Sequence, residues 1–152
     1  MSKIDENKIT ICRYQASLFS YSIRKGVSSK DFARAFANSN LSKRMNDEMF
    51  LFEAIDVPAA YDEILKGRKV RGGKIFAEQI MSWIGYMYRY ICFMYDVDMK
   101  KVYSFIKPQE MFDIYDAFHS MDPELAAKKI IEAKGIDFNV NNIDLMKKYL
   151  LA

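Results

Sequence analysis

Apolar residues recur along most of the chain at spacings of three and four, the pattern of one buried helix face. The first such stripe covers residues 6–25 and contains Ile9, Cys12, Ala16, Phe19 and Ile23. Gly26 follows it, where a left-handed glycine commonly ends a helix. Capping side chains or first-turn prolines then predict further helix starts. These starts are Ser28, Pro58, Asp98, Pro108 and Asp122, with a last one at Asn141 or Asn142.

Two stretches fit this pattern less well. Residues 41–56 contain the consecutive Phe50, Leu51 and Phe52, although Met45, Met49 and Phe52 keep helical spacing. We predict a helix there. Residues 67–74, GRKVRGGK, form a basic, glycine-bearing loop that a flexible solvated turn would explain more simply than a specific anion site.

The segment from Ile80 to Tyr95, IMSWIGYMYRYICFMY, is apolar or aromatic at almost every position around Trp83. A helix that is hydrophobic on nearly all sides must be buried on nearly all sides. Because Arg89 interrupts the segment and a membrane span needs about 20 apolar residues, we do not expect it to cross a membrane. We predict one compact all-α domain over residues 1–152, with seven to nine helices around this central helix.

Composition supports this fold class, and the charge distribution adds a hint about function. Hydrophobic residues make up 51% of the 152-residue chain, and only 3 prolines and 6 glycines are present, fewer than a β-sandwich usually needs. The net charge of +3 is small. However, residues 1–44 and 66–74 are basic, whereas residues 45–65 and 108–127 are acidic. Banded charge favours association with a partner or a second copy, although solvated helix faces would look the same.

Residues for common catalytic chemistry are scarce. His119 is the single histidine, and no C-x-x-C, H-E-x-x-H or calcium-loop pattern occurs, so we predict no metal and no cofactor. The basic loop does not match the phosphate-binding motif G-x-x-x-x-G-K-[ST], because its residues Gly72, Gly73 and Lys74 are out of the required register. We expect His119 to lie in a loop and to pair structurally with Asp116 or Asp122. Cys12 and Cys92, in a chain without a signal sequence, are typical of buried thiols in a cytoplasmic protein.

Arg89 has two competing interpretations. Glu78, Ser82, Gly85 and Arg89 form one narrow stripe of small and polar residues that lets another helix approach closely. Arg89 would either form a buried ion pair with Glu110, Asp113 or Asp116 or meet a partner protein. The first interpretation predicts a large loss of stability in Arg89→Ala. The second predicts lost binding with a nearly unchanged melting temperature.

The segments SWIGYMYRY and KKVYSFIKPQEMFDIYDAFHSMDPELAAKKI resemble a group of small uncharacterised bacterial proteins with a W-[IL]-G-Y-x-Y-R-Y block. SIRKGVSSKDFARAFANS is similar to the opening of these proteins. Members often lie beside toxin-like genes on mobile elements. The resemblance therefore implies an antitoxin- or immunity-like role, with no catalytic residue carried over.

We therefore predict a non-enzymatic, cytoplasmic module that neutralises a partner protein by stoichiometric occlusion. The predicted partner-binding residues are Arg68, Lys69, Arg71, Lys74, Arg89, Glu110, Asp113 and Asp116. The main alternative is a nucleic-acid-associated regulator that uses the basic loop 66–74 and the basic N-terminal half. A third interpretation is an enzyme whose site, around Arg89 and His119, forms at a homodimer seam.

Overall fold

A computed structural model describes residues 4–138, and within that range the chain is helical and contains no strand. The all-α prediction is confirmed. The predicted last helix, from Asn141 or Asn142, lies outside the described residues. The helices, in chain order, are α1 (Glu6–Arg24), α2 (Ser29–Ala37), α3 (Asn40–Arg44), a 3-10 helix (Glu48–Glu53), α4 (Val57–Leu65), α5 (Glu78–Tyr95), α6 (Met99–Phe105), α7 (Pro108–Phe118) and α8 (Pro123–Lys134).

Local sequence explains where most of these helices begin. The side chains of Asp5, Ser28, Asp56, Asp98 and Asp122 each accept a hydrogen bond from the backbone N–H three residues further on. Such caps satisfy backbone donors that a helix leaves unpaired in its first turn. The helix starts predicted at Ser28, Asp98 and Asp122 are therefore confirmed.

Helix α5 is the central element, as its composition predicts. From Met87 to Met94 every residue is buried, and α1, α6, α7 and α8 all pack against the helix. The exception is its first part, where Trp83 and Tyr86 are only half-buried. The helix begins at Glu78, and Phe76 lies in the preceding loop with its side chain buried.

Helices α1 and α5 meet at Gly85, the position where the sequence stripe predicts a close approach. A Cβ atom added to Gly85 would lie 2.7 Å from Cγ of Phe19 and 2.8 Å from the backbone oxygen of Gln15. The Gln15 side-chain amide also donates a 2.9 Å hydrogen bond to the Gly85 carbonyl. The close approach is confirmed, and the neighbouring helix belongs to this chain.

The single helix predicted over residues 41–56 is wrong. Helix α3 ends at Arg44, and the 3-10 helix Glu48–Glu53 follows it. In a 3-10 helix three residues make one turn, so residues three apart lie on the same side. Phe50 consequently points into the core, while Met49 and Phe52 share the opposite, outer side.

Candidate interaction surfaces

The Arg89 side chain, on α5, is completely buried against α1, α3 and the segment that follows α3. Its Nε donates to Oε1 of Gln15 at 2.7 Å, and its Nη2 donates to both the carbonyl and the hydroxyl of Ser42 at 3.1 Å. Nη1 donates to the side-chain oxygen of Asn46. The ring of Phe36 lies 5.9 Å from the guanidinium carbon. Arg89 thus joins three separate parts of the fold through neutral acceptors.

Both sequence interpretations of Arg89 need correction. No carboxylate among residues 4–138 forms an ion pair with it, so the predicted pairing with Glu110, Asp113 or Asp116 is wrong. Because the side chain has no exposed surface, its assignment as a partner-binding residue is wrong as well. Burial lowers the pKa of Arg89 from its usual value.

The remaining stripe residues, Glu78 and Ser82, lie beside α1 but keep surface toward solvent. At its N-terminal end Glu78 accepts a 2.9 Å ion-pair hydrogen bond from Nε of Arg24, which lies on α1. Ser82 lines a groove of about 430 Å³ between α1 and the start of α4. Gly85 and Arg89 are therefore used for packing within the chain, whereas a partner contact at Glu78 or Ser82 stays a prediction.

The two cysteines and the histidine are not assembled into a reactive group. Cys12 and Cys92 are free and buried, and burial raises their pKa values to about 12 and about 11. His119 ends α7, stacks on Tyr115 at 4.2 Å between ring centroids, and places Nδ1 2.8 Å from the Tyr115 carbonyl. The predicted pairing with Asp116 or Asp122 is absent. Because Arg89 has no exposed surface, it cannot line a homodimer seam together with His119.

The basic loop has exposed side chains but a well-anchored backbone. The backbone N–H groups of Ser28 and Ser29 donate to the carbonyls of Arg71 and Lys74, both at 3.1 Å. The Arg71 N–H donates to Oδ2 of Asp31 at 3.1 Å. At its other end Arg68 donates to the carbonyl of Asn38 at 3.0 Å. The side chains of the four loop cations are exposed: Arg68, Lys69, Arg71 and Lys74. The loop is hydrogen-bonded along α2 from its C-terminal to its N-terminal end.

The predicted acidic residues of α7 divide into two groups. Asp113 and Asp116 are exposed, and Asp113 accepts a 3.0 Å hydrogen bond from Gln109. Glu110 is instead half-buried and pairs with Lys134 of α8, which lowers the pKa of its carboxyl group. Lys74 lies 4.9 Å over the Phe112 ring, so the basic loop adjoins the start of α7.

Sequence analysis did not single out the outer side of the 3-10 helix as a surface. Phe52 is 81% exposed and Met49 is 63% exposed, the two largest values among the large hydrophobic residues between 4 and 138. Exposed phenylalanine is unusual, and a cluster of such residues often marks an interaction site. We call Met49 and Phe52 the apolar pair. The run Phe50-Leu51-Phe52, which fits neither helix nor strand spacing, was the available signal.

The apolar pair stands on a firmly held turn with acidic neighbours. Phe50 packs edge-on against Tyr14 at 5.2 Å, and the Tyr14 hydroxyl donates to the Ile55 carbonyl at 2.9 Å. Arg44 forms ion pairs at 3.1 Å with both Glu53 and Glu63, which raises its pKa further. Asp47 caps the turn by accepting from the N–H of Met49. After Arg44 is paired, the surroundings of the apolar pair keep an excess of negative charge.

Glu48 forms a pH-sensitive contact at the base of this turn. Its interaction with the neighbouring Asp5 carboxylate, together with burial, raises the pKa of Glu48. Because the folded protein favours protonated Glu48, this group stabilises the fold at pH values below the ordinary glutamate pKa. That stabilisation is lost as pH rises through the folded-state pKa. The pKa of Asp5 is lowered, mainly by the backbone N–H of Lys8.

We expect Glu48→Gln to raise the melting temperature at neutral pH, because glutamine keeps a hydrogen-bond donor toward Asp5 without the repelling charge. The difference from the unmodified protein should shrink as pH falls toward the ordinary glutamate pKa of about 4.3. Thermal unfolding followed by circular dichroism across pH measures this. Glu132→Gln, on the exposed surface of α8, is the control and should show no such dependence. An equal gain at all pH values would contradict the assignment.

Among residues 4–138, no three histidine, cysteine or acidic side chains lie close enough to hold a metal ion together. None of the helices in that range combines the length and apolar character that crossing a membrane requires. Comparison with known protein families, curated proteins and solved structures finds no match. The resemblance of the SWIGYMYRY segment therefore stays a prediction.

Proposed function

We propose that this chain is a protein-binding module that neutralises a partner protein by stoichiometric occlusion, in the manner of an antitoxin or immunity protein. The observation that carries the proposal is the exposed apolar pair on the 3-10 helix. Two large apolar side chains that protrude from a well-ordered turn have the character of binding anchors, which usually insert into a pocket on the partner. The resemblance noted for the SWIGYMYRY segment supports the same role.

The charge around the pair specifies the partner's surface. Residues 45–65 contain six acids and no base, and Asp47 and Glu53 line the same groove of about 350 Å³ as Met49. Complementary charge steers association and selects among partners. We therefore infer that the partner offers an apolar pocket within a basic groove, such as the substrate groove of an enzyme that acts on an anionic substrate. Covering this groove would block the substrate.

The tagged chain is first used to capture its partner from cells of its source by affinity purification. The captured partner is then purified and tested with the chain. We expect a 1:1 complex in size-exclusion chromatography with light scattering, and inhibition of the partner's activity at equal molar amounts. Phe52→Ala should weaken the purified complex by about 2–4 kcal/mol, as measured by calorimetry, because the side chain leaves an unfilled pocket. The melting temperature of the unbound Phe52→Ala variant should stay nearly unchanged, since Phe52 makes little contact with the core.

Leu125→Ala is the matched control. Leu125 is 46% exposed on α8, outside residues 45–65, and its truncation should leave the affinity unchanged. Equal binding by Phe52→Ala and the unmodified chain would overturn the proposal. So would a partner that is only a second copy of the chain, shown by a homodimer that Phe52→Ala dissociates. Rising salt should weaken the complex through loss of charge attraction, and a salt-independent complex would contradict the basic partner surface.

A further inference from the structure

A second surface, on α2, α6 and the start of α7, has the opposite charge. There Lys30, Arg34 and Lys107 surround a groove of about 380 Å³, together with Asp31, Tyr103, Pro108 and Gln109. Within the described range, neither Lys30 nor Lys107 forms an ion pair. The Lys107 ammonium instead lies 4.3 Å over the Tyr103 ring, which holds it at the edge of the groove.

Asp31 is the one acid in the groove, and its charge is already engaged. One carboxylate oxygen accepts from Nη2 of Arg34 at 3.3 Å, and the other accepts from the backbone N–H of Arg71 at 3.1 Å. These two contacts orient the Arg34 guanidinium and fasten the basic loop beside α2. The groove therefore keeps a net positive charge, because three cations face a single carboxylate.

The positive charge extends beyond the groove along the whole of α2. The basic loop runs beside this helix, with Arg68 bonded to Asn38 at its C-terminal end and Arg71 beside Ser28 at its N-terminal end. Nine residues of helix span about 13 Å at 1.5 Å per residue. Phosphates in one strand of a duplex follow each other at about 3.4 Å along its axis. The face is thus about three to four phosphates long.

We propose that this basic face binds the phosphate backbone of nucleic acid, with one phosphate in the groove between Lys30, Arg34 and Lys107. Arginine suits this ligand because its planar fork can donate two parallel hydrogen bonds to one phosphate. A nucleic-acid strand fits better than a small phosphate ester, since an ester would occupy the groove and leave Arg68 unused. The face is separate from the acidic turn that carries the apolar pair, and the inference does not depend on the proposed function.

Fluorescence anisotropy with labelled 20-nucleotide single-stranded DNA, the same RNA sequence and the DNA duplex tests the proposal. With three to four phosphates neutralised, a single strand should lose about 20- to 50-fold in affinity between 50 and 200 mM salt. Lys30→Gln with Arg34→Gln should weaken binding at least tenfold and flatten the salt dependence. Arg68→Gln should weaken it less but measurably. The three probes show which form of nucleic acid supplies the backbone.

Lys43→Gln with Lys129→Gln is the matched control, because it removes the same charge from exposed positions elsewhere. It should change affinity by less than twofold. Equal weakening by the two double variants would overturn the proposal, since net charge alone would then explain binding. Failure to bind any of the three probes at 50 mM salt would also overturn it. Binding of inorganic phosphate or ATP without nucleic acid, unaffected by Arg68→Gln, would assign the groove to a small phosphate ligand instead.

Discussion

Replacing Arg89 with alanine is expected to lower the free energy of unfolding by about 3–5 kcal/mol. The substitution leaves a large cavity in the centre of the fold, and it strands the polar groups of Gln15, Ser42 and Asn46 without their donor. Each of these costs is substantial, because a buried polar group that loses its partner cannot recover a hydrogen bond to water. Chemical denaturation followed by tryptophan fluorescence measures the change.

The matched control for this substitution is Arg13→Ala. Arg13 is exposed on α1, so its removal should change stability by less than about 0.5 kcal/mol. Arg89→Lys should destabilise nearly as strongly as alanine, since a single ammonium group cannot reach all four acceptors on Gln15, Ser42 and Asn46. A melting temperature of Arg89→Ala close to that of the unmodified chain would contradict the structural role and revive the partner-binding interpretation.

Replacing Gly85 with alanine is expected to cost about 2–3 kcal/mol. The new methyl group would stand 2.7 Å from the Phe19 ring and 2.8 Å from the Gln15 carbonyl oxygen, well inside van der Waals contact. The second of these atoms belongs to the backbone of α1, so relief requires the two central helices to separate. Overpacking of this kind typically destabilises by 1–3 kcal/mol. The measurement is again the free energy of unfolding in denaturant.

Gly72→Ala provides the comparison at a glycine without such constraints. Nothing lies within 4 Å of a Cβ added there, and its backbone is not left-handed. We expect no loss of stability from this change, and a small gain would follow from restricting the unfolded chain. If Gly85→Ala proved as harmless as Gly72→Ala, the close packing of α1 on α5 would be wrong.

The fold could be predicted largely because its signals are local. Capping aspartates and serines mark helix starts within a few residues, and the composition of α5 alone requires a buried helix. The failure over residues 41–56 has an equally local cause. A 3-10 helix repeats every three residues, so Met49 and Phe52, whose spacing also suits an α-helix, face outward while Phe50 faces the core. The consecutive Phe50, Leu51 and Phe52 indicated an irregular segment, but they did not indicate which of its side chains would be exposed.

The candidate surfaces were harder to predict because they depend on contacts between distant parts of the chain. The acceptor of Arg89 on Gln15 lies 74 residues away, and it is an amide rather than the carboxylate that charge arguments favour. Lys107 joins Lys30 and Arg34 only after α7 packs beside α2. Four predicted cations, Arg68, Lys69, Arg71 and Lys74, are exposed as expected, but whether they contact a partner stays a prediction.

The contacts of Arg89 have a consequence for the free-energy cost of the proposed recognition at the apolar pair. Ser42 lies in α3 and Asn46 lies between α3 and the 3-10 helix, and both accept hydrogen bonds from Arg89. Asn46 also donates to the Val97 carbonyl at 2.9 Å. The segment that leads to the 3-10 helix is therefore held to the core by buried hydrogen bonds. This segment loses its conformational entropy when the chain folds, so binding of a partner would require little further ordering of it. Such preorganisation favours a slowly dissociating complex.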